Sequence, residues 1–391
     1  MSVPLSAVEV AEKVASGALA VRDVAEACLQ KIEARDGEVK AFAHIDPSHV
    51  RAQADALDRY RKSGRAIGPM HGVPVALKDI IDTADYPTEN GSPLDAGRRP
   101  ERDATIAARL RASGALIIGK TVTTEFAFLN PGPTRNPHNL GHTPGGSSSG
   151  SAAAVADGMV PLAIGSQTAG STIRPGAFCG VVAYKPTHGT VSLTGVLNLC
   201  ESLDTAGMFA TSLADAALLT NAVQGYDPSD QRTRPIAHDD LLAAVRSEPP
   251  VTPTLAMVKG PTWSEASEDT RGLMDEVAET LGERADWVDL PRAFDTVMAA
   301  QRMVMTVGFA KNLRHYYERD AGAFSDILKE AYLEGVAHSA RDYLAARELQ
   351  GALAGGLNAV FDRYDAIVTP SAIGEAPDGI GATGTAVFNA L

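Results

Sequence analysis

The chain is short of cysteine, of positive charge and of uninterrupted apolar runs. Three cysteines, Cys28, Cys179 and Cys200, lie far apart among 391 residues with no CxxC pair, which argues against a disulfide-stapled secreted scaffold. A reduced, cytoplasmic setting is the expectation. Thirty-five Lys plus Arg stand against 48 Asp plus Glu, a net charge of −13, so no broad cationic surface is expected to draw in phosphate backbones or anionic lipid. Neither nucleic acid nor a membrane is an expected partner. The opening MSVPLSAVEVAEKVASG mixes charged with apolar residues, unlike the basic start and unbroken apolar core of a signal peptide or the long apolar span of an anchor. What is present is a globular balance, 45% hydrophobic and 21% charged, enough to bury the core of one large or two modest domains and to exclude disorder.

Along the chain, apolar spacing predicts two amphipathic helices from Leu5 to about Arg35, broken near Gly17. The run from Gly72 to Leu77 reads as a buried strand that delivers Lys78 and Asp79 at its tip. A helix over Asp103–Ser113 and a strand over Ala115–Ile118 come next, and strand–helix–strand implies parallel pairing. After the Pro-, Asn- and Gly-rich loop of residues 130–146, a small-residue helix is expected over Ser147–Asp157 and a third strand over Val160–Ile164. Beyond Thr211 the chain turns mainly helical, with one strand within Pro249–Val258. Glu248-Pro-Pro-Val-Thr-Pro is the sole candidate linker. One α/β domain with a helical half is the favoured organisation.

Two motifs match well-known patterns without their context. Gly114 to Thr121 fits G-x-x-x-x-G-K-[ST], but its four intervening residues are themselves the strand, so the backbone cannot wrap a phosphate. Gly146-Ser-Ser148-Ser-Gly150 fits a nucleophile elbow, yet a loop stands upstream where an elbow needs a strand; Ser148 is therefore the second choice of nucleophile. His138 and His142 are four apart, but Pro137, Gly141 and Pro144 oppose a helix that would aim both at one metal. Without an HExxH pattern or a Cys cluster no metal or other cofactor is expected, and chemistry falls to side chains.

Three pieces remain: Lys78 at a strand tip, the tract Gly145–Ser151, and Gly165-Ser-Gln-Thr-Ala-Gly-Ser171-Thr-Ile-Arg174-Pro175. A serine hydroxyl attacks only when something takes its proton, and a lysine can do so only when neutral, a state that burial favours. Gln167-Thr-Ala-Gly170 ahead of Ser171 can point successive N–H groups at a tetrahedral oxyanion.

These residues resemble the amidase signature family of serine amidases. The likeness is carried by Gly72-Val-Pro-Val-Ala-Leu-Lys78-Asp79, Thr143-Pro-Gly-Gly-Ser-Ser-Ser-Gly-Ser151, Gly170-Ser171 and Phe178-Cys-Gly-Val-Val-Ala-Tyr-Lys-Pro-Thr187, and extends more weakly from Leu5 to the C-terminus. It implies an α/β fold with a central mixed, largely parallel sheet covered by helices on both faces. It implies Ser171 as acylated nucleophile, Ser147 as the bridging serine after a cis peptide bond, and Lys78 as the base. The family spacing between the serines, 171 − 147 = 24 residues, is kept. Thr168, Ala169, Gly170 and Ser171 then form the oxyanion hole, with Arg174 and Gln167 toward substrate. Arg174, in an S-x-I-R-P context as in malonamidase-like members, either grips a substrate carboxylate or makes a structural ion pair.

The expected organisation is a single amidase domain over 1–391: a catalytic core to residue 212, helical cover over 213–360, and a return to the core sheet over 361–391. The resemblance makes the chain look C-terminally short after Phe388-Asn-Ala-Leu391. The implied function is hydrolysis of a small linear or carboxylate-bearing amide, and a homodimer is left open. Two alternatives stand beside it: a glutamine-hydrolysing component resembling amidotransferase A subunits, which would need partner chains, and a catalytically weakened relative.

Overall fold

The computed structural model describes residues 6–389. Leu5, the expected start of the first helix, and the last two residues of the Phe388-Asn-Ala-Leu391 stretch lie outside the described residues. The chain divides into two compact units, the first of residues 1–247 and 376–384, the second of 248–375 and 385–391. Glu248, where the Pro-rich stretch begins, is the boundary. The segment 213–247 stays with the first unit, and the residues beyond it build a separate sheet.

In the first unit, helix α1 (Ala7–Ser16) is capped by the Ser6 side chain and closed by Gly17 at φ 80°, the left-handed cap that glycine adopts without steric cost. Helix α2 (Val21–Val39) has no side-chain cap of its own. The carboxylate of buried Asp58, in α3 (Pro47–Lys62), accepts instead from the Val21 and Arg22 N–H groups at 3.0 Å each. A tertiary contact thus satisfies donors that the local sequence leaves open.

The six strands are β1 (Phe42–Ile45), β2 (Pro74–Lys78), β3 (Leu116–Thr121), β4 (Leu162–Gln167), β5 (Val182–Tyr184) and β6 (Thr205–Ala210), in the order β1-β3-β2-β4-β6-β5. The centre, β3-β2-β4, is parallel, and antiparallel partners flank it. Strands β2, β3 and β4 are buried along their full length, as their near-continuous apolar sequences require of parallel strands covered on both faces. Helix α4 (Thr105–Ala112) crosses between β2 and β3 and packs on β3; α5 (Ser149–Ala156) packs on β2, β3, β4 and β6 and against α6 (Ile173–Cys179); α7 (Leu213–Val223) packs on β4, β5 and β6.

Small residues let α5 come close. A Cβ at Gly150 would strike the Ala41 carbonyl, and one at Gly165 in β4 would run into the Ser148 side chain. This close approach brings the serine tract against the strand ends.

The second unit has a parallel three-stranded sheet ordered β8-β7-β9, made of β7 (Leu255–Val258), β8 (Ala285–Val288) and β9 (Ala366–Val368). The segment after Tyr364, expected to re-enter the main sheet, pairs here with β7 instead. The stretch that returns to the first unit is Ala376–Gly384. Among the described residues no helix is long and apolar enough to cross a membrane.

Candidate active site

Lys78 is the last residue of β2 and is fully buried. Its Nζ lies 2.7 Å from Ser147 Oγ and 2.9 Å from Ser166 Oγ. Burial holds its pKa well below the ordinary lysine value; the Asp204 carboxylate opposes that shift and the Arg174 charge adds to it. The contacts that hold this amine are hydroxyls, which can exchange protons with it and do not lock it as an ammonium.

Ser147 is also fully buried and follows a cis peptide bond from Gly146. Gly145, at φ 80°, sits where a Cβ would come 2.9 Å from Pro175 Cα, so this turn and the start of α6 meet at a separation only glycine permits. The rest of the tract works as fastening. Ser148 Oγ donates to the Ser166 carbonyl and accepts from the Ser166 N–H, each at 3.2 Å. Ser151 Oγ meets Thr121 Oγ1 at 2.7 Å, and Ser149 Oγ donates to the Val122 carbonyl at 3.3 Å. Ser148, the second-choice nucleophile, is thus engaged on both its donor and acceptor sides.

Residues Thr168, Ala169, Gly170 and Ser171 form the corner between β4 and α6. Ser171 is half-buried, and its carbonyl accepts from the Ser148 N–H at 3.4 Å, which ties the corner to the residue after Ser147. The Thr168 hydroxyl donates to Asp204 Oδ1 at 2.6 Å, and the other carboxylate oxygen of Asp204 accepts from the N–H groups of Leu199 and Cys200 at 2.7 and 2.9 Å. Asp204 is buried, and desolvation pushes its pKa up. It anchors the first residue of the proposed anion-binding corner to a neighbouring loop.

Two residues expected to face substrate have structural partners. Gln167 Oε1 accepts from the N–H groups of Thr172 and Ile173 at 2.9 and 3.0 Å, the task of an N-cap for α6, whose Thr172 makes no side-chain cap bond. Arg174 is 1% exposed. It donates from Nε to the Thr383 carbonyl at 2.8 Å and from Nη2 to the Gly146 carbonyl at 2.6 Å, and burial lowers its pKa to about 10. The guanidinium therefore clamps the loop before Ser147 to Thr383, a residue that comes from the far end of the chain. Carbonyls accept from its Nε and Nη2, where the sequence left a carboxylate or an ion pair as the alternatives.

The decoys resolve on geometry. Lys120, in the phosphate-loop lookalike, lies in β3 with its Nζ 2.6 Å from Thr88 Oγ1, 3.1 Å from the Pro87 carbonyl and 3.3 Å from Asp79 Oδ1. His138 Nε2 meets the Cys179 carbonyl and His142 Nδ1 the Ala376 carbonyl. His44, Asp79 and Glu89 do bring potential ligand atoms within 4.8 Å of one another, but the Lys120 ammonium beside Asp79 already supplies the neighbouring positive charge. Ser166, Asp204 and Thr383 were absent from the expected site residues. Ser166 could be inferred only from a strand register, and the other two are remote in sequence from the groups they support.

A buried amine in contact with serine hydroxyls, beside a strand-to-helix corner carrying a further serine, is an arrangement that suits nucleophilic catalysis by a serine. The sequence profile of the Amidase family matches residues 23–385; the chain belongs to the amidase signature family. It is similar to glutamyl-tRNA(Gln) amidotransferase A subunits. To that of Salinispora arenicola it is 46% identical over 248 residues, a match covering 62% of this chain and 50% of that protein. To that of Streptomyces coelicolor it is 38% identical over 323 residues, covering 80% and 65%. The chain thus spans about half to two-thirds of the length of these relatives. Among solved structures, the native peptide amidase of Stenotrophomonas maltophilia superposes with a TM-score of 0.79 at 28% identity, covering 97% of this chain and 87% of that one. A component of a vestigial protein complex linked to the origins of an s-triazine catabolic enzyme superposes with a TM-score of 0.89 at 32% identity, covering 95% and 82%.

Proposed function

We propose that the protein hydrolyses the C–N bond of a small linear amide through an acyl-enzyme on Ser171. The observation that carries this reading is the 2.7 Å contact between the buried Lys78 amine and Ser147 Oγ, in surroundings that favour the neutral amine. Neutral Lys78 accepts the Ser147 proton as Ser147 Oγ accepts that of Ser171, so the Ser171 oxygen attacks the amide carbon. The N–H groups of Thr168, Ala169, Gly170 and Ser171 receive the negative charge on the carbonyl oxygen. The proton returns through Ser147 to the leaving nitrogen, the C–N bond breaks, and water deprotonated along the same path cleaves the ester. A carboxylate-bearing amide is the other half of the proposed substrate class; the Arg174 bonds to the Thr383 and Gly146 carbonyls use Nε and Nη2.

The test is release of ammonia or amine over a panel of aliphatic, aromatic and carboxylate-bearing amides, with Ser171→Ala alongside. Uncharged linear amides are expected to turn over and the variant to be inert; equal rates in the variant would rule the assignment out. A second reading is supported by the likeness to amidotransferase A subunits: a glutamine-hydrolysing component that works with partner chains. Glutamine hydrolysis that begins only when such partners are added would favour it.

A further inference from the structure

We propose that Ser166 is a positioning residue for the base: its hydroxyl aims the Lys78 amine at Ser147 and takes a hydrogen bond from that amine throughout the proton relay. This inference rests on the serine amidase reading above.

The argument begins with valence. A neutral amine has two N–H donors and one lone pair, and only the lone pair can accept the Ser147 proton. With a single hydroxyl neighbour, Lys78 could equally donate to Ser147 Oγ, an orientation that blocks the relay. The second hydroxyl, Ser166 Oγ at 2.9 Å, offers an acceptor for an N–H, and the lone pair is then free to face Ser147 Oγ at 2.7 Å. Once Lys78 has taken the proton, the same oxygen accepts a charge-assisted bond from the new ammonium.

Ser166 is well held for this task. It lies in β4, paired with Ala206 of β6, and its side chain is buried along with the rest of the strand. Both its N–H and its carbonyl are bonded to Ser148 Oγ. One short link, Ser166 to Ser148, therefore fixes the base-holding hydroxyl relative to the residue next to Ser147.

The experiment measures two things over a range of pH: steady-state hydrolysis of the best amide from the panel, and the rate at which phenylmethylsulfonyl fluoride labels Ser171. In Ser166→Ala both rates are expected to fall about 10- to 100-fold, as when a group that orients a catalytic side chain is removed, with KM changed little. The acidic limb of kcat/KM is expected to move to lower pH, because the ammonium form of Lys78 loses an acceptor. Ser166→Thr, which keeps the hydroxyl on a strand-compatible side chain, should recover most of the rate. If Ser166→Ala does not fold, Ser166→Thr and Ser166→Val serve as a pair of near-equal shape that differ in the hydroxyl, with the same split expected. Wild-type rates and an unmoved pH profile in Ser166→Ala, or equal rates in the Thr and Val variants, overturn the inference while leaving the amidase reading intact. A wild type that neither hydrolyses an amide nor is labelled at Ser171 overturns the amidase reading itself.

Discussion

Lys78 and Lys120 sit on neighbouring parallel strands, one register position apart, and both are fully buried with pKa values lowered by desolvation. Their partners differ. Lys120 has a carboxylate, Asp79 Oδ1, at 3.3 Å, and gives further bonds to Thr88 and Pro87. Lys78 touches the hydroxyls of Ser147 and Ser166, and Asp204 acts on it through the field without a direct bond. The same side chain at the same depth is a structural cation where a carboxylate faces it, and is fitted to be a base where hydroxyls face it. Burial alone does not assign a function to a lysine; the charge of its contacts does.

Removing either amine should separate the two roles. Lys78→Ala is expected to lower amide turnover by about 10²–10⁴-fold, the range for a general base, with the fold retained by circular dichroism. A comparable loss of activity per folded molecule in Lys120→Met would erase the distinction. In wild type, turnover should fall as pH drops through the lowered pKa of Lys78, since only the neutral amine accepts a proton. A rate flat with pH on the acid side would mean another group is the base.

Next in size, Lys120→Met strands the buried Asp79 carboxylate and should cost about 3–5 kcal/mol of stability by urea denaturation. Adding Asp79→Asn should recover part of it. A destabilisation no greater than that of an exposed lysine would show that the ion pair is not needed.

Smaller again, Arg174→Ala should cost about 1–3 kcal/mol by leaving the buried carbonyls of Gly146 and Thr383 without a donor. The accompanying loss of rate is expected in kcat, because the clamp holds the loop that carries Ser147. A pure rise in KM confined to carboxylate-bearing amides would instead restore this arginine to the substrate.

The least effect concerns Lys78 as a burden on the fold. Its folded pKa lies below its unfolded value of about 10.4, so between the two the unfolded chain binds more protons and stability rises with pH. Lys78→Met should therefore raise Tm by a few degrees near neutral pH, with the gain shrinking as pH approaches the unfolded value. A gain independent of pH would contradict a neutral amine in the fold.

Much of the first unit was legible from periodicity. The break at Gly17 and the strand delivering Lys78 fall where the apolar spacing puts them, the strand expected over Ala115–Ile118 runs on to Thr121, and the helix expected over Ser147–Asp157 begins two residues later, at Ser149. The short strands β1 and β5 and the antiparallel β6 carried no comparable signal, and of the second sheet only the strand within Pro249–Val258 was expected. Four residues or fewer give too little alternation to recognise, and β6 reads Thr-Ala-Gly-Met-Phe-Ala, with no polar–apolar period. Lys78 and the two glycine–serine tracts could be singled out because these are unusual settings for such side chains, while the choice of Ser147 and Ser171 within the tracts came from the family resemblance. Gln167 and Arg174 were placed toward substrate by the resemblance, and their hydrogen bonds in the fold are to backbone groups. The first caps α6 and the second reaches back to the loop.

The sequence by itself determined which groups could do chemistry: an amine at the end of an apolar strand, hydroxyls in tracts too small-sided to fill a core, and a strand-to-helix corner rich in N–H groups. Only the tertiary structure decided which of them meet. Contacts across 69 and 88 residues between Lys78 and its two serines, and across 209 residues between Arg174 and Thr383, depend on strand register and on the close approach that Gly150 and Gly165 allow. Local propensity is blind to both, because neither the energy of a long-range contact nor the direction of a side chain is set by its neighbours in sequence.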